Sequence, residues 1–414
     1  LPSPLRLKEG LFYGWVVVAV FLVIGITLYG IHFSFGVFFK SIEGEFNLTR
    51  AATSAILSAN LLLAGACSFF AGWAIDRYGP KVVVLLMGAF AGLSLVLTSQ
   101  TNALWQLFLT YSLLLAMGTG PLYVVPMSAV SRWFIKKRGL AMGLASLGSG
   151  LGTVVMAPFA TYLIASFDWR TAYLIIGLIA WLIILPLSRL LKRDPYEVGA
   201  LPDGVKSGAG DVEGEEAGTR PAGASLLPVL RMRSFWLLAS LWFLFAANIF
   251  LVFAHLVPHI TDIGFSAAEA AGVLSVVGVA AIPGRLLMGI ASDRLGRKLA
   301  TITCLLIQAG AMVLLVWARD LWSLYLFAIA FGFFYSGFGS SGAALLSDTF
   351  PLGNIGAIFG LLEVGFGIGA AIGPVVGGLI FDLSGSYSVA FFIGAVVLLG
   401  ATLLVALVRR ETRY

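Results

Sequence analysis

An all-α polytopic membrane protein, with twelve transmembrane helices in two six-helix bundles, is the fold class this sequence predicts. Three observations carry the prediction: apolar runs of spanning length, one long polar stretch midway along the chain, and motifs that occur twice. Hydrophobic residues make up 59% of the 414 and charged residues 11%, with a mean hydropathy of +0.98. Soluble domains carry about 25% charged residues. A hydrocarbon core about 30 Å thick takes roughly 20 apolar residues per helix, and twelve runs meet that length: 14–39, 52–75, 82–99, 104–131, 140–166, 171–191, 235–260, 268–291, 299–318, 322–346, 356–381 and 387–408. The period-two alternation of a membrane β-barrel is absent from them.

The first run follows Arg6, Lys8 and Glu9 and is too long for a signal-peptide core, so it reads as a retained helix. Cys67 and Cys304 both fall inside runs, where a thiol packs as a small apolar group rather than as half of a disulfide or metal pair. The formal net charge of +6 raises the question of acidic partners. With twelve spans and a cytoplasmic N-terminus, the 26 Lys and Arg all fall on the cytoplasmic side except Lys40, Arg50, Arg170 and Arg319 outside and Arg285 within a span. The positive balance is therefore a topology signal with both termini cytoplasmic, and not a nucleic-acid surface.

Between spans six and seven, residues 192–233 include DGVKSGAGDVEGEEAGTRPAGAS, rich in Gly, Ala and acidic side chains. Such a composition reads as a cytoplasmic linker. It separates an N-terminal bundle, 1–191, from a C-terminal bundle, 234–414. The two bundles align without gaps over two independent stretches: GWAIDRYGPK (72–81) on GIASDRLGRK (289–298), and GLASLGSGLG (143–152) on GLLEVGFGIG (360–369). Both alignments share one residue offset, which makes the chain an internal duplication, as in many secondary transporters.

The repeated G-x-x-x-D-R-x-G-x-K stretch resembles the signature of the major facilitator superfamily, and the resemblance covers the whole chain. It implies two six-helix bundles around a central cavity and rocker-switch alternating access. Asp76 and Asp293 stand at cytoplasmic helix ends, where a carboxylate can accept the free N–H groups of a neighbouring helix start. With Arg77 and Arg294 they are the expected latch of an outward-open state, Asp76 near the start of span eleven and Asp293 near the start of span five. The glycine ladders of spans five and eleven allow close helix approach.

Duplication also shows which residues the scaffold does not need. Under the shared offset Arg285 aligns with Ser68 and Glu363 with Ser146. A charge within a span costs about 2.5–3.5 kcal/mol on insertion scales, so each is a candidate functional group. At 1.5 Å per residue both lie roughly 9–11 Å from the cytoplasmic interface, close enough to interact in some conformations. Arginine stays charged and presents a planar fork of donors matched to a carboxylate, which makes Arg285 a natural anchor for an organic anion. The bland alternative is an arginine that snorkels to the headgroups. Pro283 and Gly284 before it are expected to bend the helix. Glu363 is either a proton-coupling group or a structural partner of Arg77 or of polar groups at the interface.

FYGWVVVAVFLVIG, FSFGVFFKSIEGEF and SRWFIKKRGLAMGLASLGSGLG, together with the arginine of IPGRLLMG, resemble the monocarboxylate porter family and its relatives, the bacterial oxalate/formate exchangers. That resemblance implies transport of small acids such as lactate or pyruvate with a proton, and carries the carboxylate anchor over to Arg285. Tyr29 matches the family's tyrosine of span one. Two positions depart from the family's animal members: Ala281 stands where they have Asp, and Phe33 where they have Lys.

The proton route is thereby left to Glu363, to His32, or to the substrate carboxylate with Arg285. Tyr123, Tyr335 and Asn248 are further candidates for binding the anion, and Phe33 and Phe359 for an apolar wall. His255 and His259 read as mouth or interface residues, since two histidines alone are weak evidence for a metal, and no metal or cofactor beyond the proton is expected. The absence of a phosphate-binding loop, a zinc-protease motif or a Ser-His-Asp set disfavours an enzyme or an ATP-driven pump. The expected partners are a small monocarboxylate, protons and the lipid bilayer. An organic-anion exchanger stands as the alternative, with multidrug efflux and a membrane sensor behind it.

Overall fold

The structure, a computed structural model, describes residues 12–134, 138–201, 227–350 and 355–408; the side chains at 69, 72, 73, 76, 131, 138–140, 227, 228, 347 and 355–360 lie outside that description. Twelve helices are long and apolar enough to cross a membrane: α1 (Tyr13–Phe46), α2 (Arg50–Ser68), α3 (Arg77–Thr98), α4 (Leu104–Val130), α5 (Ala141–Ser166), α6 (Trp169–Ser188), α7 (Arg233–Asp262), α8 (Ala267–Leu295), α9 (Arg297–Trp317), α10 (Leu321–Leu346), α11 (Leu361–Ser384) and α12 (Ser388–Leu407). No strand occurs among the described residues. The central part of the linker, 202–226, lies outside them; on its flanks are a short 3-10 turn at Pro195–Val198 and a helical turn at Leu227–Arg231.

Helix ends agree with the apolar pattern to within about five residues, except that α2 as bounded above stops at Ser68 where the apolar run reaches 75, and that span one runs on. Span one continues beyond 39 to Phe46, carrying Lys40, Glu43 and Glu45 on its last turns. Hydropathy alone ends the run at the first charge, whereas here the charges are matched by partners on other helices.

Four of the six helices that start on the face opposite the termini, here the far face, are closed by their own side chains. Thr49 accepts the amide of Ala52, Asp168 that of Thr171, Ser266 that of Glu269 and Asp320 that of Ser323. Each cap satisfies a donor that the first helical turn leaves free. The amides of Thr171 and Ser323 hold the exposed carboxyls of Asp168 and Asp320 below the usual carboxylate range. On the termini face the duplicated motif turns at Gly79 (φ 77°) and Gly296 (φ 93°), a left-handed region that favours glycine.

The repeat is visible in the packing. A Cβ at Gly152 of α5 would strike the carbonyl of Ile26 on α1, and one at Gly369 of α11 would strike the carbonyl of Phe243 on α7. All four positions obey the offset that aligns the motifs. The two halves meet where α5 crosses α8, with Gly150 and Gly278 facing each other's carbonyls at 2.8 and 2.7 Å from an ideal Cβ. They meet again on the far face, where Gly378 of α11 lies against the backbone of Arg50 and Ala51 at the start of α2.

Candidate functional site between the two halves

Arg285 sits on an unbroken α8 and is half-buried. Pro283 and Gly284 precede it within the same helix, and Gly284 lets the backbone of Phe333 on α10 come into direct contact. The guanidinium reaches across the midline, donating from Nη1 to the carbonyl of Ser146 on α5 at 3.1 Å. That carbonyl is available because α5 is interrupted at Leu147, between a helical segment ending at Ser146 and one starting at Gly148. A carbonyl at such an end lacks its intrahelical donor. Ser149 Oγ shares it at 3.1 Å, while Ser340 Oγ donates to the carbonyl of Arg285 at 3.0 Å. No carboxylate among the described residues pairs with Arg285, and its remaining guanidinium hydrogens have no partner among them.

Two small hollows meet at Ser146. One is lined by Arg285, Ala281, Ser149 and Ser336, the other by Tyr29, Tyr123, Phe21 and Pro126. Tyr29 lies within electrostatic reach of Arg285, Tyr123, Glu363 and Tyr335. The structure thus gathers five of the residues singled out in the sequence, drawn from α1, α4, α8, α10 and α11. Glu363 and Tyr123 are exposed despite this central position, so solvent enters the cavity. Glu363 makes no ion pair with Arg285 in this conformation, nor with Arg77, whose guanidinium lies 5.9 Å from the Tyr78 ring.

One wall is aromatic. Phe33 stacks on Tyr29 (centroids 6.0 Å apart, 15°) and on Phe253 (4.4 Å, 24°), and Phe253 meets Tyr335 edge-on at 5.7 Å. His32 packs edge-on against Phe33 and Phe250, and its Nδ1 has no partner among the described residues. Phe33 is therefore one ring in a continuous π-stack. Phe253 and the Ser146 carbonyl were missed in the sequence. Nothing marks one phenylalanine among many on α7, but the S-L-G-S-G run does signal a weakened helix.

One expectation needs correction. Asn248 does not face the cavity: it is buried with its amide against Gly394 of α12 and Met312 of α9, and packing on that side of α7 decides its direction. Of the two readings offered for the histidines, mouth or interface, His255 takes the second: it is buried with Ser54 Oγ of α2 3.3 Å from its Nε2 and Phe39 of α1 edge-on at 5.3 Å, and His259 is buried one turn away. The latch is expected of an outward-open state; in this conformation Asp293 is ion-paired to Arg297 in its own motif, and Arg297 also donates to Ser292 Oγ at 2.8 Å. Arg294 and Arg77 are exposed. The side chains of Asp76 and Phe359 lie outside the described residues. Cys67 and Cys304 are both free thiols.

A duplicated twelve-helix bundle with a central, solvent-reached cavity is the architecture of a secondary transporter. The family model of the Major Facilitator Superfamily matches residues 16–289 and 256–414, and the chain belongs to that family. Among curated proteins it is similar to monocarboxylate transporters. It is 26% identical to monocarboxylate transporter 13 of Bos taurus over 404 residues (95% of this chain, 89% of the relative) and 27% identical to monocarboxylate transporter 11 of Homo sapiens over 424 residues (99% and 85%). Among solved structures it is similar to a bacterial homologue of the human lysosomal transporter Spinster, described as inward-facing and unoccupied, with a TM-score of 0.72 at 17% identity over 97% of this chain and 96% of that one.

Proposed function

We propose that the protein carries small monocarboxylates of the lactate or pyruvate kind across a cell membrane by proton symport and alternating access, with both termini in the cytoplasm. The observation that carries the reading is Arg285 turned into the boundary between the halves with donors to spare. A permanently charged, planar fork at that boundary suits a carboxylate through paired charge-assisted hydrogen bonds. Tyr29 and Tyr123 border the same cavity and can donate hydroxyls to the anion, while Phe33, Phe253 and Tyr335 offer a wall for a short alkyl group.

Glu363 is the proposed proton carrier. It is a carboxylate reached by solvent, in the same cavity, with no cationic partner among the described residues; His32, walled by rings, is the second candidate. Contacts between the halves on the far face, with Glu363 accessible, support a conformation open to the cytoplasm. Transport then requires closure on the termini face, where the Asp293–Arg297 pair opens and Asp293 is redirected to the start of α5.

Proteoliposomes test the reading directly. An inward proton gradient should drive labelled lactate into vesicles that contain no internal anion. Uptake only into anion-preloaded vesicles would sink symport and make the protein an exchanger.

A further inference from the structure

The charges on the far face are distributed unequally between the two halves. In the N-terminal half, Glu45 at the end of α1 accepts from Trp169 Nε1 (3.1 Å) and Arg170 Nη2 (2.8 Å) at the start of α6. That cluster closes within its own bundle. The equivalent of Glu45 under the repeat offset is Asp262 at the end of α7. The equivalents of Trp169 and Arg170 are Ser386 and Tyr387, neither of them a cation. Asp262 turns across the midline instead, to Lys40 Nζ of α1 at 2.6 Å and to Arg50 of α2, Nη1 at 3.2 Å and Nη2 at 3.3 Å.

Arg50 is held on every side. Nε donates to Glu43 at 2.8 Å, Nη1 to the hydroxyl of Tyr387 at 2.8 Å, and the guanidinium carbon lies 4.3 Å from the Phe381 ring centroid. Behind Tyr387, His255 Nε2 lies 2.8 Å from the Pro374 carbonyl and Nδ1 lies 3.1 Å from the Tyr387 oxygen. The carbonyl can only accept, which puts the ring proton on Nε2 and makes Nδ1 the acceptor of the Tyr387 hydroxyl hydrogen. Burial pushes the Tyr387 phenol up, so it stays a hydroxyl. Asp382 adds a second crossing, accepting the backbone amides of Arg50 and Ala51, each at 2.9 Å.

We propose that Arg50 is the hub of the far-face gate, and that Asp262, whose ion pairs among the described residues are both with cations of the other half, is what draws it across the midline. A charge pair split between two rocking bodies is broken once per cycle, whereas one kept inside a body, such as Glu45 with Arg170, is not. Gate opening therefore separates Arg50 and Lys40 from Asp262, and the amides of Arg50 and Ala51 from Asp382. The Tyr387–His255 chain is the positioning element that fixes where Arg50 returns. This inference rests on the alternating-access reading above.

Spin labels separate the two. In a background carrying Cys67→Ser and Cys304→Ala, labels at Phe167→Cys and Trp322→Cys report distances between the halves on the far face, and labels at Leu190→Cys and Leu295→Cys those on the termini face. All four positions are exposed. Arg50→Gln and Asp262→Asn should each raise the ratio of long to short far-face distances roughly tenfold or more, as breaking a half-buried pair leaves an unmatched charge. The double variant should shift the ratio by less than the product of the two single effects, because the Arg50–Asp262 pair is lost only once. Lys40→Gln, at a more exposed pair, should give about threefold and decides the matter if the Arg50 variant does not purify as a single species.

Arg170→Gln should leave the ratio within about twofold, because its pair does not cross. Unchanged ratios in the Arg50 and Asp262 variants, or an equal shift in Arg170→Gln, overturn the gate. Alternating access itself fails by a different result: far-face and termini-face distances in the parent that do not move in opposite senses when lactate and pH are varied.

Discussion

The two halves of this chain pack alike and differ in where they keep their charge. Gly152 on Ile26 and Gly369 on Phe243 are the same contact made twice. Ser68 and Ser146 in one half nevertheless correspond to Arg285 and Glu363 in the other, and Glu45 pairs at home while Asp262 pairs abroad. The comparison teaches that close helix packing is what duplication supplies, and that charge has been added on one side only. Serine suffices for folding at both intramembrane positions, so the Arg and Glu are there for something other than the bundle.

The sharpest way to break that contrast is to restore the symmetry. Arg285→Ser recreates the residue of the other half and should fold with an unaltered melting temperature, yet lose lactate binding by at least about thirtyfold, the equivalent of about 2 kcal/mol for a lost charge-assisted pair. Arg285→Lys should also weaken binding, because a point charge cannot replace the planar fork; titration of the purified protein with lactate measures both. Unchanged affinity in the lysine variant would return Arg285 to a headgroup-seeking role.

Next in size is Glu363→Gln. Uptake driven by a membrane potential or by preloaded anion should persist, while stimulation by an inward proton gradient should be lost. A variant that keeps the gradient response excludes Glu363 as the carrier and leaves His32.

A smaller effect is expected where the halves touch and not where they differ. Gly150→Ala places a methyl 2.8 Å from the carbonyl of Gly278, a backbone atom that cannot step aside. A loss of about 1–3 kcal/mol in stability should accompany slower uptake. Gly143→Ala, with nothing within 4 Å of the added carbon, is the matched control. Thermal unfolding followed by chromatography would show whether the two differ.

The least is expected at the far-face caps. Asp168→Ala removes one cap of α6, typically about 1 kcal/mol, without altering gate distances. The Asp168 carboxyl is held below its ordinary value of 3.8 by the Thr171 amide. Its contribution is therefore full at neutral pH and fades as pH falls through the lowered value. A thermal scan from neutral to acidic pH should show the variant approaching the parent at the acid end.

Much of the fold was legible because membrane spans announce themselves locally: a run of apolar residues is its own evidence, and no distant partner is needed to place it. Duplication made the site partly legible too, since comparing the halves isolates Arg285 and Glu363 without any contact being known. The same comparison applied to Glu45 and Asp262 would have pointed at the gate, since Arg170 aligns with the uncharged Tyr387. It was not legible in the apolar pattern, which ends span one before Lys40 and treats everything beyond as loop.

What the sequence determined by itself is therefore what short-range rules control: twelve spans, two copies, the glycines at positive φ that turn the motif, the capping residues that start the helices, and the two charges that packing does not require. The tertiary structure alone decided which way side chains face and whom they meet. It sent Asn248 into the packing of α7, α9 and α12, placed an unpaired carbonyl of Ser146 under Arg285, and brought Arg50 against Asp262 from 212 positions away in the chain. Rotation about a helix axis and the tilt between bundles set those encounters, and both depend on how all twelve helices pack at once.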